Sequence, residues 1–335
     1  MRTLALLILI GLVCPVLALT SQSARGAADD VTPLPPGLYT QIDTEAGVIV
    51  AELFYKQTPM TVANYVGLAE GKLGPRKGAP FYDGLKWFRV ERNFVIQGGD
   101  GGRIGYSFPD EIVPGLRHDG PGTLQMANAG PDTNGSQYCF MMSDQTGLNY
   151  NHTVFGKVVR GLDLLPKIKV GDTMHVKILR VGPDAEAFQV DQAMFDALVA
   201  KARRYDGPRR PGPDAFLDDP DNIIGAAGRG STFLQFKLAN FQRFTGERIV
   251  ARVFAKTPDD AAGDRLEAFA SDLATKLNVA QHGALVLYFQ DQDKWLLRVA
   301  PDSQQRFMAG PMRADGTRDP ATARPTMEQA TADFM

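Results

Sequence analysis

The chain has 335 residues, of which 44% are hydrophobic and 22% are charged, and its net charge at pH 7 is −2. A nearly neutral chain has no general attraction to nucleic acid or to anionic lipid, so we expect neither as a partner. The length gives room for about two globular domains, each with a core of its own.

Residues 1–28 have the pattern of a secretory signal peptide. Arg2 precedes an apolar run over 4–19, and small residues follow it up to Ala28. We expect cleavage near Ala28 and export to the periplasm or another extracytoplasmic space. The apolar run, roughly 16 residues, is shorter than the 20 or so that span a membrane comfortably, so we expect no stable span after cleavage. An uncleaved signal is the alternative.

Short apolar runs with alternating polar residues predict a β-rich domain over residues 37–182. The turn at 44–47 predicts a hairpin, and Thr58 is predicted to cap a helix with Pro59 in its first position and Gly71 at its end. The predicted strands are 39–43, 48–53, 87–90, 94–97, 124–126, 138–142, 153–159 and 175–181, and a second short helix is predicted over 162–168. Many short strands with two helices favour a closed barrel, which leaves no strand edge unpaired.

The composition changes after residue 182. Residues 183–213 predict a helix over 187–205 and a linker rich in Pro and Gly. Residues 214–312 alternate between helical and strand periods, which predicts a small layered α/β domain. Its predicted elements are a helix from the N-cap Ser231 to Gly246, a strand over 248–254, a helix opened by Thr257 with an apolar stripe over 266–277, and strands over 284–290 and 295–300. We expect the tail, 313–335, to be disordered.

The loop at 127–137 is rich in Gly, Asn and Pro and lies between two predicted strands. The stretch MANAGPDTNGSQ, which begins at Met126, resembles the central signature of the cyclophilins, the β-barrel peptidyl-prolyl cis/trans isomerases. Blocks at 87–89, 94–100 and 152–157 match the family in the same order. The resemblance covers about residues 38–182 and implies a mostly β fold, a closed eight-stranded antiparallel barrel with two capping helices. It also implies isomerase activity on proline-containing polypeptides.

Prolyl isomerisation twists an amide through a state without resonance, over a barrier of about 18–20 kcal/mol. A donor that bonds the prolyl nitrogen as its lone pair localises lowers this barrier, and no nucleophile is required. By resemblance, Arg89 occupies the catalytic position, and its guanidinium offers N–H donors at any ordinary pH. The resemblance assigns positions around the proline ring and along the peptide backbone to Phe94, Gln97, Met126, Ala127, Asn128, Gln137, Cys139, Leu148 and His152.

Other site chemistries lack the residues that they need. The four histidines have neither ligand-like spacing nor cysteine partners, so we expect no metal site and no cofactor. Ser136 does not lie in the Gly-x-Ser-x-Gly elbow of a hydrolase. The Gly-rich segment 98–105 has no helix after it and no Lys-Ser/Thr pair, as a phosphate loop requires.

Three positions depart from the cyclophilin pattern. The family commonly has histidine in place of Phe88, and usually has aromatic residues in place of Cys139 and Gly147. Cys139 matters most, because this position should form the floor of the proline pocket, where a thiol makes less apolar contact than a ring. We therefore expect reduced turnover unless Phe140 or Met141 fills the gap.

The order helix, strand, helix, strand and Asp-bearing hairpin in residues 214–312 resembles the TPM domain, a family related to a thylakoid acid phosphatase. The leading hypothesis is an exported, monomeric prolyl isomerase that assists the folding of other polypeptides. The alternative is a peptide-binding module of the same fold with weak or no catalysis, coupled to a TPM-like interaction domain or phosphatase-like domain. A phosphatase would predict metal-dependent release of phosphate by residues 214–312.

Overall fold

The computed structural model describes residues 32–76, 78–226, 230–309, 317–318, 323–324 and 326–327. The predicted signal peptide lies outside the described residues, as does most of the predicted disordered tail. The chain divides into two compact units, Met1–Pro33 and Leu34–Met335. Only the last two residues of the first unit are described, so the account below concerns the second unit.

Nine strands form one curled antiparallel sheet. They are β1 (Gly37–Thr44), β2 (Gly47–Leu53), β3 (Leu85–Lys86), β4 (Arg89–Val90), β5 (Val95–Gly98), β6 (Thr123–Met126), β7 (Tyr138–Met141), β8 (Val154–Arg160) and β9 (Thr173–Val181). Their order across the sheet is β3-β9-β1-β2-β8-β6-β7-β5-β4. The predicted hairpin is confirmed, with Thr44 paired to Gly47 at its end.

The two edge strands of the sheet, β3 and β4, are separated in sequence by Trp87 and Phe88 alone. The Trp87 N–H donates to the Asp172 carbonyl at 2.9 Å, beside β9, and the Phe88 N–H donates to the Gln97 carbonyl on β5 at 3.2 Å. The sheet therefore curls until its edges approach each other. The predicted closed barrel of eight strands is not confirmed, because the described residues form nine strands without a ladder between β3 and β4.

Helix α1 (Pro59–Ala69) is buried along its whole length in the core of the curled sheet. The predicted N-cap position of Thr58 with Pro59 after it is confirmed, but the Thr58 hydroxyl donates to the Phe54 carbonyl and does not bond the helix N–H groups. The distant Glu111 carboxylate instead accepts hydrogen bonds from the N–H groups of Met60 at 3.0 Å and Thr61 at 2.7 Å. A carboxylate there also faces the positive end of the helix dipole. The second capping helix is a 3₁₀ helix over Leu162–Lys167.

The predicted single helix over 187–205 is wrong. The structure has two helices, α2 (Pro183–Ala187) and α3 (Gln192–Lys201), and the Asp191 carboxylate caps α3 by accepting the Met194 N–H at 2.7 Å. Phe195 of α3 is buried in the main core, with its ring 5.3 Å from that of Tyr106. This segment therefore packs on the curled sheet and contributes to its core.

A second sheet has four strands in the order β10 (Leu217–Asp218), β11 (Ile249–Phe254), β12 (Ala284–Phe289) and β13 (Lys294–Val299). The first two pairings are parallel and the last is antiparallel. The helices of this region are α4 (Ile223–Ala226), α5 (Ser231–Thr245), α6 (Leu266–Lys276) and α7 (Pro301–Met308). The predicted layered α/β arrangement is present, although β10 and α7 were not predicted.

Two predicted helix starts in this region are wrong. Gly230 holds the N-cap position of α5, and the Ser231 hydroxyl donates instead to the Asp219 carboxylate. Thr257 does not open a helix, because two 3₁₀ turns precede α6 and Gly263, the first residue of the second turn, has a φ of 66°. The apolar stripe of α6 is core as predicted, with Ala270 and Ala274 fully buried. Within the described part of the chain, no helix is long and apolar enough to cross a membrane.

Candidate functional site

A small cluster of buried apolar side chains, called the apolar pocket below, lies on the face of strands β5 and β7 that points away from the main core. Successive side chains of a strand point to opposite faces, so Tyr138 and Phe140 enter the main core while the residues between and after them do not. The buried residues of this apolar pocket are Val95, Cys139, Met141 and Leu148, and Phe94 and Ala127 pack against them. The antiparallel register places Val95 opposite Met141.

A row of three polar side chains borders the apolar pocket. Arg89 lies opposite Gln97 in the pairing of β4 with β5, and its Nη1 donates to the Gln97 Oε1 at 3.1 Å. The Gln97 Nε2 donates in turn to the Gln137 Oε1 at 2.9 Å. Glu91 accepts from the Arg89 Nε at 2.8 Å, and the guanidinium lies 5.4 Å from the centre of the Phe94 ring. These contacts orient the guanidinium of a side chain that is still 42% exposed.

The groove loop, residues 127–137, is held by hydrogen bonds to Asp110, which lies outside the loop, and by hydrogen bonds within the loop. Asp132 has a φ of 60°, and its Oδ1 accepts the Asp110 N–H at 3.0 Å. The Asn134 Nδ2 donates to the Asp110 Oδ1 at 2.8 Å, and the Thr133 hydroxyl bridges neighbouring backbone groups of the loop. Gly130 adopts a positive φ as expected, whereas Gly135 does not. The loop backbone is thereby fixed beside the polar row.

An open polar cavity of about 720 Å³ adjoins this row. Gln97, Ala127, Asn128 and Gln137 all contribute to its lining, together with the segment 102–107. The Asn128 side chain is turned inward, since its Nδ2 donates to the Asn151 carbonyl at 2.8 Å. A peptide in this cavity would therefore meet amide side chains and loop backbone, with the charged Asp100 and Arg103 also in the lining.

The structure brings most of the predicted site residues together but places one elsewhere. Phe94, Ala127, Cys139 and Leu148 meet in the apolar pocket, as the resemblance implied. Met126 is fully buried in the main core, so its side chain faces away from the pocket. The nearby His152 ring bonds the Met126 carbonyl through Nδ1 at 3.2 Å.

Sequence reasoning missed Val95, which holds a pocket position. Of the two residues expected to fill the gap beside Cys139, Met141 lies in the apolar pocket and Phe140 lies in the main core. The strand alternation could have found Val95, because its neighbour Ile96 is a core residue on the opposite face. It also missed Glu91, which orients Arg89, and Phe233 of α5, which packs against the apolar pocket from outside the curled sheet. No local pattern near the groove could have indicated Phe233.

Burial shifts the pKa values of several groups around the site. The thiol of Cys139 is buried in the apolar pocket, and loss of water raises its pKa to about 12. Burial also raises the pKa of Asp110 to about 6, against the opposing effect of its hydrogen bond from Asn134. It lowers the pKa of His118, whose ring nitrogens contact the side-chain oxygens of Asn149 and Gln125. The described residues hold no group of three or more His, Cys, Asp or Glu side chains placed to bind a metal.

Comparison with known proteins agrees with this geometry. The family model "Cyclophilin type peptidyl-prolyl cis-trans isomerase/CLD" matches residues 39–183. The human peptidyl-prolyl cis-trans isomerase-like 1 is 40% identical over 164 residues, which cover 44% of this chain and 93% of the relative. The peptidyl-prolyl cis-trans isomerase A of Mycobacterium tuberculosis is 44% identical over 146 residues, covering 39% of this chain and 79% of that protein.

Among solved structures, a cyclophilin-type isomerase of Cryptosporidium parvum covers 43% of this chain and 98% of its own, with 27% identity and a TM-score of 0.38. The sequence matches cover 93% of the human relative and 79% of the mycobacterial one, whereas residues beyond about 183 of this chain lie outside the matched family model. The chain therefore belongs to the cyclophilin-type peptidyl-prolyl cis-trans isomerase family.

Proposed function

We propose that this protein is an exported prolyl isomerase that acts on proline residues of other polypeptides and so assists their folding, with Arg89 as the catalytic group. The observation that carries the proposal is the polar row beside the apolar pocket. An apolar slot for a five-membered ring, a fixed cationic donor and amides for the flanking backbone are what prolyl isomerisation requires.

The donor acts where the electronic change occurs. As the amide twists, the lone pair of the prolyl nitrogen localises and becomes a hydrogen-bond acceptor, which it is not in the planar ground state. The Arg89 guanidinium, oriented by Gln97 and Glu91, has further N–H groups to donate to that nitrogen. A hydrogen bond that forms only in the twisted state lowers the barrier without strengthening the binding of the planar substrate.

The remaining proposed roles concern binding. Phe94, Cys139, Leu148 and His152 would surround the proline ring, with Val95 in the place expected for Met126. Gln97, Ala127, Asn128 and Gln137 would contact the peptide backbone from the polar cavity. Since ring and backbone are bound by separate surfaces, a substrate needs proline flanked by extended chain, as unfolded polypeptides present it.

A protease-coupled assay with an Xaa-Pro peptide tests the catalytic proposal. The full chain should isomerise the peptide, and Arg89→Ala should lose about a hundredfold or more in kcat/KM, the cost of removing a transition-state donor. Arg92→Ala, on the exposed neighbouring position, is the matched control and should keep the native rate. Equal rates for native chain and Arg89→Ala would remove Arg89 from the mechanism.

The alternative is a binding module with little catalysis. Two observations favour it: the thiol of Cys139 gives the pocket a small floor, and Phe233 already packs against the pocket. The two functions separate in one experiment, because a binder would hold an Xaa-Pro peptide in calorimetry while the coupled assay shows a rate close to the uncatalysed one.

Export and domain organisation are proposed from sequence features. The apolar segment before Ala28 supports export, and fractionation with N-terminal sequencing of the mature chain tests it. Recovery of the uncleaved chain from the cytoplasm would contradict it.

The order of α5, β11, α6, β12 and β13 supports the TPM-like assignment of residues 214–312. We also propose a monomer, which light scattering would check.

A further inference from the structure

Helix α5 lies against the proposed isomerase site, and one of its residues contacts the apolar pocket. Phe233 packs against the cluster formed by Val95, Cys139, Met141 and Leu148, the same cluster that Phe94 and Ala127 border. Its ring centre is 6.5 Å from that of His152, and its carbonyl accepts a hydrogen bond from the Asn151 Nδ2 at 3.1 Å. The phenyl ring thus lies among the residues proposed to hold a substrate proline.

The rest of α5 is fixed beside the apolar pocket by contacts along one face of the helix. The Lys237 Nζ donates to the Gly147 carbonyl at 3.2 Å, and the Asn240 Nδ2 donates to the Tyr150 carbonyl at 2.8 Å. The Phe241 and Tyr150 rings meet edge to face at 5.0 Å. Residues 233, 237, 240 and 241 follow the three- and four-residue spacing of a single helical face, so the whole face is devoted to this contact.

The far end of α5 is held by charge. The Arg243 Nη2 donates to the Asp132 Oδ1 at 2.8 Å, within the groove loop, and its Nη1 lies 3.8 Å from the Asp110 carboxylate. Phe236, between these anchors, lies next to Gly130 of the same loop. Both the apolar pocket and the loop that borders it are therefore engaged by one helix of the C-terminal region.

The polar half of the site is not covered in the same way. Arg89 remains 42% exposed, and the polar cavity beside Gln97 and Gln137 is open. The Phe233 ring packs against the apolar cluster, while the Arg89 side chain is left accessible. This arrangement is that of a competitor for substrate binding, since Arg89 keeps its hydrogen bonds to Gln97 and Glu91 and stays accessible.

We propose that α5 is an autoinhibitory element, with Phe233 occupying the proline pocket so that substrate binds only when the helix moves away. The proposal rests on the proposed isomerase site. Phe233 is part of the same chain, so it competes at a fixed effective concentration, which for short flexible tethers is on the order of millimolar. The apparent affinity for a peptide is reduced by the fraction of chains in which the pocket is open.

The first test compares full-length native chain with Phe233→Ala in the coupled assay. Removal of a plug should lower KM by about tenfold or more and leave kcat nearly unchanged, because only the fraction of open chains changes. Phe269→Ala is the matched control: it removes the same side chain from α6, where the ring packs on Phe254 and does not touch the groove. Its KM should equal that of the native chain.

The second test follows hydrogen exchange of the α5 amides, residues 231–245, with and without a saturating Xaa-Pro peptide. Displacement of α5 should speed this exchange on binding, whereas the amides of α6 should not respond. Equal KM values for native chain and Phe233→Ala, or unchanged α5 exchange in the peptide complex, would overturn autoinhibition. If all chains lack isomerase activity, the proposed catalysis fails, and tighter peptide binding by Phe233→Ala in calorimetry would still support occlusion.

Discussion

Arg243 and Asp132 form an ion pair between α5 and the groove loop, with 2.8 Å from Nη2 to Oδ1 and only 7% and 12% of the two side chains exposed. Asp110, fully buried, lies on the other side of the same guanidinium at 3.8 Å. One arginine thus serves two carboxylates that also shape the backbone of the groove loop. The position of the helix and the conformation of the loop are consequently linked through a single side chain.

Replacing Arg243 with Met should lower the free energy of unfolding by about 3 kcal/mol, because it leaves two buried carboxylates without their cation. Urea unfolding followed by circular dichroism measures the change. Lys56→Met is the control, since it breaks an ion pair with Asp184 whose side chains are 62% and 71% exposed and should cost under about 1 kcal/mol. Equal losses in the two variants would show that burial of the Arg243 pair has no energetic consequence.

Arg89→Lys should lose most of the isomerase activity, by about a hundredfold in kcat/KM, while the thermal midpoint stays the same. The arginine fork bonds Gln97 and Glu91 and still has N–H groups left for the substrate. Lysine keeps the charge but has no planar fork, so it cannot do both. Arg92→Lys serves as the control in the same assay, because Arg92 lies three residues after Arg89 and is exposed. Native turnover by Arg89→Lys would mean that charge alone is sufficient.

The thiol of Cys139 should be nearly inert in the folded chain. Burial raises its pKa to about 12, so at pH 8 the thiolate fraction is roughly a thousandfold lower than in the unfolded chain. Iodoacetamide labelling, measured by mass spectrometry in a Cys14→Ser background, should be slow in native buffer and fast in guanidinium chloride. Rapid labelling of the native chain would show that the pocket opens frequently.

The contribution of Glu111 to the free energy of unfolding should fall as pH rises from 4 to 7. The pKa of Glu111 is raised to about 6 by burial, above its ordinary value of 4.5, so the folded state binds a proton that the unfolded state has lost. The stabilisation is complete below pH 4.5 and is lost as pH passes through 6, an effect of about 2 kcal/mol.

Glu111→Gln should flatten this part of the pH profile in urea titrations, whereas Glu186→Gln, at an exposed site, should leave it unchanged. A profile that stays equally steep in Glu111→Gln would assign the effect to another group, of which Asp110 is the first to examine because its pKa is also raised to about 6.

Local sequence patterns predicted a helix or strand well where its formation depends on residues of the same segment. The hairpin of β1 and β2, the helix after Thr58 and the core stripe of α6 follow from periodicity within a few residues. The carboxylate that binds the first N–H groups of α1 could not be predicted in this way, because Glu111 lies 51 and 50 residues from the two N–H groups that it binds. The same holds for α3, whose burial depends on a core made by the curled sheet.

The site residues also divide into those that the sequence predicted and those that it did not. Motif order indicated Arg89, Phe94, Gln97 and Cys139, and it identified the family, because a groove built from consecutive strands leaves its residues in fixed order along the chain. The carry-over by resemblance placed Met126 at the proline ring, whereas the structure has Val95 there and Met126 in the main core.

The sequence by itself determined that this chain has a cyclophilin-type isomerase domain followed by an α/β region, since short-range periodicity and contiguous motifs are sufficient for both. Only the tertiary structure decided that the two meet at the proposed active site. The bonds that join them link residues 82 and 111 positions apart, Asn151 to Phe233 and Asp132 to Arg243. Such contacts depend on how complete surfaces fit together, which no local pattern of residues encodes.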